Sequence, residues 1–598
     1  MTDNAQETVT QAPASTRAFP SRTPLYAAPA GVSPRLRVVL LAPRKLPAWL
    51  LRFFDMAAEN PWLDLVVMPI DGAAVPAPPA PPADLRVLLR YERRRTIASE
   101  LARVAVASHD GVTIASAVDV GVKVSALRAQ VSALCPDLVL VVDAPHWAES
   151  LGDRAPWGCW DFDPSLFDAG RATQALLGPV MRGDAATLIE LRLQHLDRPP
   201  TTLSTCWAAT CRSSASAQRE RALRKVPVLL LRSLRQLALG GVHVPQLRTA
   251  RLQMASAPAP GPVRWGDGIR AFARTLAFRC ALKWRQSRPD NEAWHVLVRR
   301  GGQPIDPDAP DVRGHSYLSA PANHFWADPC LAEEEAGRGY LFVEQWTAGN
   351  GKGVIACLEL LPDAQVAHLG VVLDMPVHLS YPQAFRWAGQ WYLTVESGHD
   401  NCVGLYRAEA FPFRWAPVAE LVRGRNCVDP TLYHHDGHWY LFAAVDEGGG
   451  STSDELFLFV AEELTGPFRP HPANPIVSDV RRARPAGRVF QRAGRLIRPA
   501  QDCAPRYGAA VVFNEVLELS PTHYRERPLG RLDSRWAAGL DGCHTYSESG
   551  GTEVLDVRGT PPAHSARHAL LASPAADDRL RHGRVEACRP PVPGILKS

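Results

Sequence analysis

The sequence has no Cys-x-x-Cys pair, no lysine block and no Gly-x-Gly-x-x-Gly after its first strand. Nor does any apolar run approach the roughly 20 residues that cross a bilayer. Each absence excludes something. The 12 cysteines are scattered without a regular framework, so a disulfide scaffold is not expected. Cys330, Cys357, Cys402, Cys427, Cys503 and Cys543 fall in strand-like or turn-like segments and read as small buried thiols. The formal charge of +5 is spread along the chain, so nucleic acid is not an expected partner. Without the glycine fingerprint a dinucleotide site has no support, and neither cofactor nor metal is expected. The opening "MTDNAQETVTQAPASTRAFP" is polar and lacks an apolar secretory core, which places the expected location in the cytoplasm with no transmembrane segment.

What the sequence does have is 53 prolines and 16 tryptophans, a composition that suits proline-rich loops and tryptophan-lined sugar grooves. A chain of 598 residues calls for two or three domains. Residues 1–34 are polar and Pro/Ala-rich and are expected to be a disordered leader. From "LRVVLLAP" to "PDLVLVVDAP", strands alternate with helical stretches across a proline-rich loop, which predicts an open, mainly parallel α/β sheet over 35–240. The following "APWGCWDFDPSLFDAG" resembles the formyltransferase fold, in which a strand ends in an Asn-x-His-Pro-Ser turn. Here Asp161 and Asp163 replace the amide and the imidazole, while Pro164 and Ser165 remain. Two carboxylates repel a developing oxyanion, so the domain is expected to be a degenerate scaffold with no formyl transfer, Asp143 lining a relic pocket. "KVPVLLLRSLRQLALGGV" has helical spacing and closes this part. A linker and basic helix over 241–289 follow, and the 225–290 helices are expected to dock on the next domain and narrow its mouth.

After residue 320 the texture changes to short aromatic strands with turn punctuation. "FWADPCL" is followed by "YLFVEQ", "HLSYPQAF" by "WYLTVES", and "NCVDPTLY" by "WYLFAAV". Asp328, Ser380 and Asp429 lead these units at steps of roughly 50 residues, the size of a four-stranded propeller blade. Two degenerate units, around "RPAGRVF…LIRPAQDC" and "LDGCHTYSES", complete five blades over 290–558. The Pro/Ala/Arg-rich 559–598 reads as a disordered tail. The predicted fold class is therefore multidomain: an N-terminal α/β formyltransferase-like open sheet, then an all-β five-bladed β-propeller. Residues repeated at the start of inner strands meet at one mouth of the channel. Asp328 and Asp429 would converge there as the paired carboxylates that glycosyl chemistry uses, with Glu344 and Glu396 ending second strands beside them. An aspartate that only ties down its own Asp-Pro turn is the competing reading.

The ordered set "FWADP", "HLSYPQAF", "WYLTVES", "DPTLY", "WYLF", "ARPAGR", "RPAQDC…YG" and "GCHTY" resembles one propeller in particular. It is the amino-terminal domain of plant glucosamine inositolphosphorylceramide transferases, in the bacterial form that stands beside a formyltransferase-like domain. More distantly, the set is similar to five-bladed glycoside hydrolases such as arabinanases and invertases. In those hydrolases a blade-1 aspartate is base or nucleophile, a blade-3 aspartate is auxiliary, and a blade-4 glutamate donates the proton. Asp328 and Asp429 match the first two positions, and Glu396 is grouped with them as catalytic. Blade 4 opens "SDVRRARPAGRVF", with Arg482, Arg484 and Arg488 and no glutamate. Guanidinium groups suit a leaving group that is already anionic, so a phosphorylated or nucleotide-activated sugar is the expected ligand. Arginines paired with acids on a blade edge are the alternative. Trp326, His378, Tyr381, Arg498, Gln501, Asp502 and His544 lie in the matching motifs and, with Glu344, make the expected sugar-contacting rim. The plant proteins carry a glycosyltransferase domain after the propeller and these 598 residues do not, so the transfer activity is not implied by the resemblance.

Three functions follow as expectations. The first is a carbohydrate-active protein of surface glycan or glycolipid assembly. The second is a non-catalytic glycan-binding or scaffolding propeller that partners a separate glycosyltransferase. The third is a plain glycoside hydrolase.

Overall fold

Short runs of Val, Leu, Phe, Tyr and Trp between glycine turns can bury two faces only if sheets stack on sheets. A computed structural model of the chain has this arrangement from residue 293 to 560. It describes residues 22–27, 35–71, 83–93, 103–105, 108–119, 123–142, 150–151, 154–161, 178–193, 201–240, 265–287, 293–301, 303–312, 314–335, 338–361, 365–397, 401–447, 451–533, 539–560 and 569–572.

Five antiparallel sheets form the blades of a propeller. Blade 1 runs His324–Glu335, Arg338–Thr347, Gly353–Leu360 and Gln365–Leu373; blade 2 runs Ser380–Trp387, Gln390–Ser397, Cys402–Ala410 and Arg414–Arg423. Blade 3 begins with Cys427–His435 and His438–Val445, and blade 4 holds Arg495–Asp502, Ala510–Leu519 and Tyr524–Asp533. Blade 5 is composite. Tyr546–Ser549 and Thr552–Gly559 supply its inner part, and Trp294–Arg300, from the start of the domain, pairs with Thr552–Gly559 residue for residue from Trp294–Arg558 to Arg300–Thr552. This closure joins the two ends of the propeller by a hydrogen-bonded ladder and leaves no open gap in the ring.

A separate apolar layer sits between each pair of neighbouring blades. Phe342, Leu393, Trp391 and Trp415 fill the gap between blades 1 and 2. Phe385, Leu405, Leu441 and Phe457 fill the next, then Tyr440, Phe442, Leu458 and Val516. Leu297, Ile497, Phe513 and Tyr546 follow, and Val296, Leu341, Val343 and Val554 close the circle. Each fully buried large side chain contributes about 1.5–3 kcal/mol, so the stack of layers is what holds the blades radially.

The inner strands of blades 1, 2 and 3 share a bulge. The ladder skips two residues after Ala327, after Ser380 and after Val428. The first skipped residues are Asp328, Tyr381 and Asp429, with φ of 50°, 49° and 51°, and a proline follows each. The structural repeat is therefore Asp328–Tyr381–Asp429, and Ser380 is one residue out of register with the two aspartates. A left-handed backbone is uncommon for non-glycine residues and rare for a bulky one. Three in equivalent places show that the bulge is a built feature that re-aims these side chains toward the axis.

The N-terminal part holds the expected parallel sheet: Leu36–Pro43 pairs with Leu63–Asp71 on one side and Leu138–Val141 on the other, with Cys159–Asp161 beyond. Helix Ala48–Ala58 buries Trp49, Leu50, Phe53, Phe54 and Ala57 against it. Cys159–Asp161 is a strand as the motif requires, but Asp143, Asp163, Pro164 and Ser165 lie outside the described residues, so the formyltransferase comparison stands as an expectation.

Three details differ from the sequence expectation. Residues 22–27 of the supposed leader lie against blades 2 and 3: Leu25 is buried, its carbonyl accepts from Asn474, and the Thr23 amide donates to the Arg423 carbonyl. Within the supposed tail, Ala569–Ala572 adds a parallel strand to the outer edge of blade 1. Cys402 is only half-buried, unlike the other five propeller thiols.

The long helix Ala215–Gly240 joins the two parts. It carries Lys225 and Arg232 into blade 3, where Lys225 Nζ lies 2.9 Å from Asp454 and 3.3 Å from Glu455. Arg232 lies 2.6 Å from Glu447 and 2.9 Å from Glu455. All five side chains are buried. Burial pushes Asp454 up to about 6 despite Lys225, whereas Arg232 and Lys225 overcome burial at Glu455 and hold it below the ordinary glutamate range. Docking through this helix agrees with expectation; helix Asp267–Gln286 packs instead on the N-terminal helix Ala83–Arg93.

Candidate functional site

The bulges deliver Asp328, Tyr381 and Asp429 to one end of the channel, and blades 4 and 5 complete the ring with Arg484 and His544. Asp328 is buried. Its Oδ1 accepts from Thr545 Oγ1 at 2.8 Å and its Oδ2 from the Tyr381 amide at 3.3 Å, while its own amide donates to Asp556 at 3.0 Å. Asp429 is buried too. Its Oδ2 accepts from Arg484 Nε at 2.5 Å and from Gln501 Nε2 at 2.6 Å, and its amide donates to Glu396 Oε2 at 2.9 Å. A recurring rule emerges: a carboxylate from one blade's second strand caps the bulge amide of the next blade, Glu396 for Asp429 and Asp556 for Asp328.

Five acids thus crowd one mouth with few cations. Burial is the largest influence on each of the shifted acids. It pushes Asp328 up to about 6, with Asp429 and Asp556 adding to the rise and His544 opposing it. Burial, reinforced by Asp429 and opposed by Arg484, pushes Glu396 up to about 8. Glu344 is raised well above the glutamate range by burial and then by Asp328, Glu396 and Asp556. Burial works against the His544 imidazolium, but Asp556 and Asp328 outweigh it and hold the ring above the ordinary histidine range. Two environments therefore coexist: a glutamate, Glu396, that keeps its proton near neutrality, and an aspartate tied to a guanidinium.

Of the residues singled out from sequence, the structure gathers Asp328, Asp429, Glu344, Glu396, Arg484, Gln501 and His544 at this end. His378 stands beside them, its Nδ1 accepting from the Gly353 amide at 2.8 Å and its Nε2 3.5 Å from Glu344. Tyr381 crosses the channel. Its hydroxyl accepts from the Gly487 amide at 2.6 Å and meets Thr431 Oγ1 at 2.9 Å, so its polar tip is spent on internal bonds. Gly487 is needed there: its φ is +118°, and a Cβ would fall 1.8 Å from the Tyr546 carbonyl oxygen.

Others are occupied elsewhere. Trp326 is fully buried, with its Nε1 donating to Gln345. The arginines of blade 4 do not form one anion receptor. Arg482 and the buried Arg498 share Glu526, a residue of the same blade's outer strand, at 2.6 Å and 2.8 Å. Arg488 donates to the Leu331 carbonyl and lines a small cavity with Asp328, while Arg484 pairs with Asp429. Asp502 pairs with Arg531 and caps the Ala504 amide.

Sequence reading missed Asp556, Thr545, Trp294 and Tyr507. Trp294 stacks on His544 with ring centroids 4.0 Å apart. Tyr507 is 43% exposed, stands edge-on to His544 at 5.3 Å and lies beneath the Arg484 guanidinium at 4.8 Å. Tyr507 thus sets a partly exposed aromatic face beside the buried carboxyls. The "RYG" tripeptide after "AQDCAP" was the available signal for it.

Asp328, His544 and Asp556 bring one ligand atom each within 4.8 Å of one another, a spacing that could hold a divalent cation. Direct contacts already join the three, with His544 Nδ1 2.5 Å from Asp556.

The N-terminal part buttresses this wall. Trp207 bridges to Asp479, its carbonyl accepts from the Val480 amide, and Arg481 lies over its ring at 4.2 Å, just ahead of Arg484.

Residues 312–534 match the family described as Glucosamine inositolphosphorylceramide transferase 1, N-terminal. The chain is 33% identical over 273 residues to Glucosamine inositolphosphorylceramide transferase 1 of Oryza sativa subsp. japonica, covering 45% of this chain and 35% of that protein. It is 33% identical over 208 residues to the Arabidopsis thaliana protein of the same name, covering 34% of this chain and 27% of that one. The chain thus spans about a third of the length of the curated relatives it matches. Among solved structures, it is similar to the GH43_1 enzyme from Xanthomonas citri complexed with xylotriose, at 18% identity and a TM-score of 0.31, covering 43% of this chain and 94% of that one. A family 117 glycoside hydrolase from Zobellia galactanivorans aligns at 12% identity and a TM-score of 0.29, covering 45% and 92%. What these findings carry is that the chain contains a propeller related to the N-terminal domain of glucosamine inositolphosphorylceramide transferases.

Proposed function

We propose that the propeller mouth is a carbohydrate-active site that transfers or releases a glycosyl group. The observation that carries this reading is the convergence of Asp328 and Asp429, from bulges in separate blades, with a second carboxyl, Glu396, whose proton is retained up to about pH 8. Glu396 supplies the proton that blade 4 lacks. It protonates the leaving oxygen as the glycosidic C–O bond breaks, while the incoming hydroxyl oxygen bonds to the anomeric carbon and gives its proton to Asp328; one proton is donated and one is taken up. Asp429, paired with Arg484 at 2.5 Å, anchors the guanidinium at the mouth.

The arginine geometry also changes the expected ligand. Because Arg484 is committed to Asp429, and Arg482 and Arg498 to Glu526, only Arg488 of these four, held by the Leu331 carbonyl, would meet an anionic leaving group without displacing a carboxylate. A neutral saccharide oxygen protonated by Glu396 fits better than a phosphorylated or nucleotide-activated sugar. A second reading, a glycan-binding scaffold for a separate glycosyltransferase, is favoured by one fact: Asp328 and Asp429 are only 5% and 3% exposed.

The pH profile tests the catalytic reading. Asp328 must be ionised, so kcat/KM rises as pH passes about 6; Glu396 must be protonated, so it falls again through about 8. Glu396→Gln should abolish the alkaline limb with a large loss of rate on substrates that have poor leaving groups. A flat profile between pH 5 and 9, or an alkaline limb that survives Glu396→Gln, contradicts it.

A further inference from the structure

Helix Asp267–Gln286 presents a face that nothing in the sugar site uses. Trp265 precedes it, and Ile269, Phe272 and Leu276 recur on it at the three- and four-residue spacing that keeps side chains on one stripe. These four are 44–77% exposed. Cys280 continues the stripe and is exposed. Ala271 and Thr275 on the other side are buried. The helix is anchored: Asp84 accepts from the amides of Gly266 and Gly268 at 2.9 Å and 3.0 Å, and Tyr91 meets Phe272 edge-on. A fixed helix with a contiguous outward apolar stripe marks a contact surface.

Its charge identifies the occupant. The helix carries Arg270, Arg274, Arg279, Lys283 and Arg285 against a single acid, Asp267. Arg274 and Arg279 donate to the neutral carbonyls of Arg182 and Ser213, and Arg212 lies over the Phe278 ring at 5.0 Å. The apolar stripe is thus flanked by a cationic border. Tryptophan, phenylalanine and leucine beside arginines is the make-up of a helix that lies in the headgroup plane of a bilayer. Crossing is a different matter, since among the described residues no helix is long and apolar enough to span a membrane.

We propose that residues 265–286 seat the protein on a membrane surface rich in anionic lipid. The stripe enters the headgroup–acyl boundary, and the arginines meet lipid phosphates. This holds whether the propeller mouth acts on a sugar or only binds one.

Flotation of the full chain with vesicles tests it. Partition onto phosphatidylcholine vesicles containing phosphatidylglycerol should exceed that onto phosphatidylcholine alone by about tenfold or more, and should weaken with added salt. Ile269→Ser combined with Leu276→Ser should lower it by about tenfold without changing the melting temperature, since both side chains are exposed. A readout that keeps Ile269, Phe272 and Leu276 in place is an environment-sensitive fluorophore on Cys280, with Cys135→Ser and Cys588→Ser, which should shift to the blue on anionic vesicles. The proposal is overturned by absence of partition, by equal partition of the serine variant, or by a fluorophore that does not respond. It is equally overturned by a concentration-dependent dimer that the serine variant abolishes without any vesicle binding, which would assign the stripe to a second copy of the chain.

Discussion

Asp328→Asn leaves the propeller folded and lowers glycosyl turnover by roughly 10³-fold. The amide has nearly the shape of the carboxyl and keeps an oxygen for the Thr545 hydroxyl. It cannot take a proton, however, and it removes one of the charges that raise the His544 imidazole above its ordinary range. Since the folded protein already pushes Asp328 up to about 6, losing this charge from a buried position costs the fold little, and melting should move by about 1 °C or less. Steady-state kinetics beside a thermal melt separate the two effects. Full turnover by the variant would reduce Asp328 to a turn residue, the competing reading of an Asp-Pro motif.

The largest stability effect is expected far from that site. Lys225→Met removes the ammonium that lies against Asp454 and Glu455 in a fully buried network. Breaking one side of a buried ion pair costs about 3–5 kcal/mol, because the remaining carboxylates have no water to turn to. For a protein of this size that lowers the melting temperature by roughly 2–4 °C. Adding Asp454→Asn to Lys225→Met should restore much of the loss, since a neutral amide no longer needs the cation. A calorimetric melt of the two variants decides it; an unchanged melting temperature for Lys225→Met would mean that helix Ala215–Gly240 is not held by this network.

The propeller was legible because blade strands repeat in composition as well as length, and "WYL" follows each of two inner strands. The bulge register was harder. Ser380 and Asp328 look equivalent by their small polar side chains, but the proline that follows the left-handed residue sets the register, and by that rule Tyr381 is the counterpart. The blade-4 arginines misled for another reason. Sequence places Arg482, Arg484 and Arg488 together, yet Glu526 enters from an outer strand and captures Arg482 and Arg498, leaving Arg484 on Asp429 and Arg488 on the Leu331 carbonyl. Asp556 and Trp294 escaped notice because blade 5 is assembled from opposite ends of the domain. Composition also misjudged the edges: a few apolar residues, Leu25 and Leu570 among them, suffice to order a strap or an added strand when an exposed edge is available.

The central claim is that the mouth ringed by Asp328, Asp429, Glu344, Glu396 and His544 receives a sugar. A thermal-shift screen of neutral saccharides, phosphosugars and sugar nucleotides tests it most directly, on the wild-type chain and on Asp328→Asn and Tyr507→Ala. A ligand at about a hundred times its dissociation constant adds nearly 3 kcal/mol, a rise of roughly 2–5 °C. The account predicts such a rise with a neutral saccharide, diminished in both variants. No shift with any saccharide, or a shift that both variants retain in full, would contradict it.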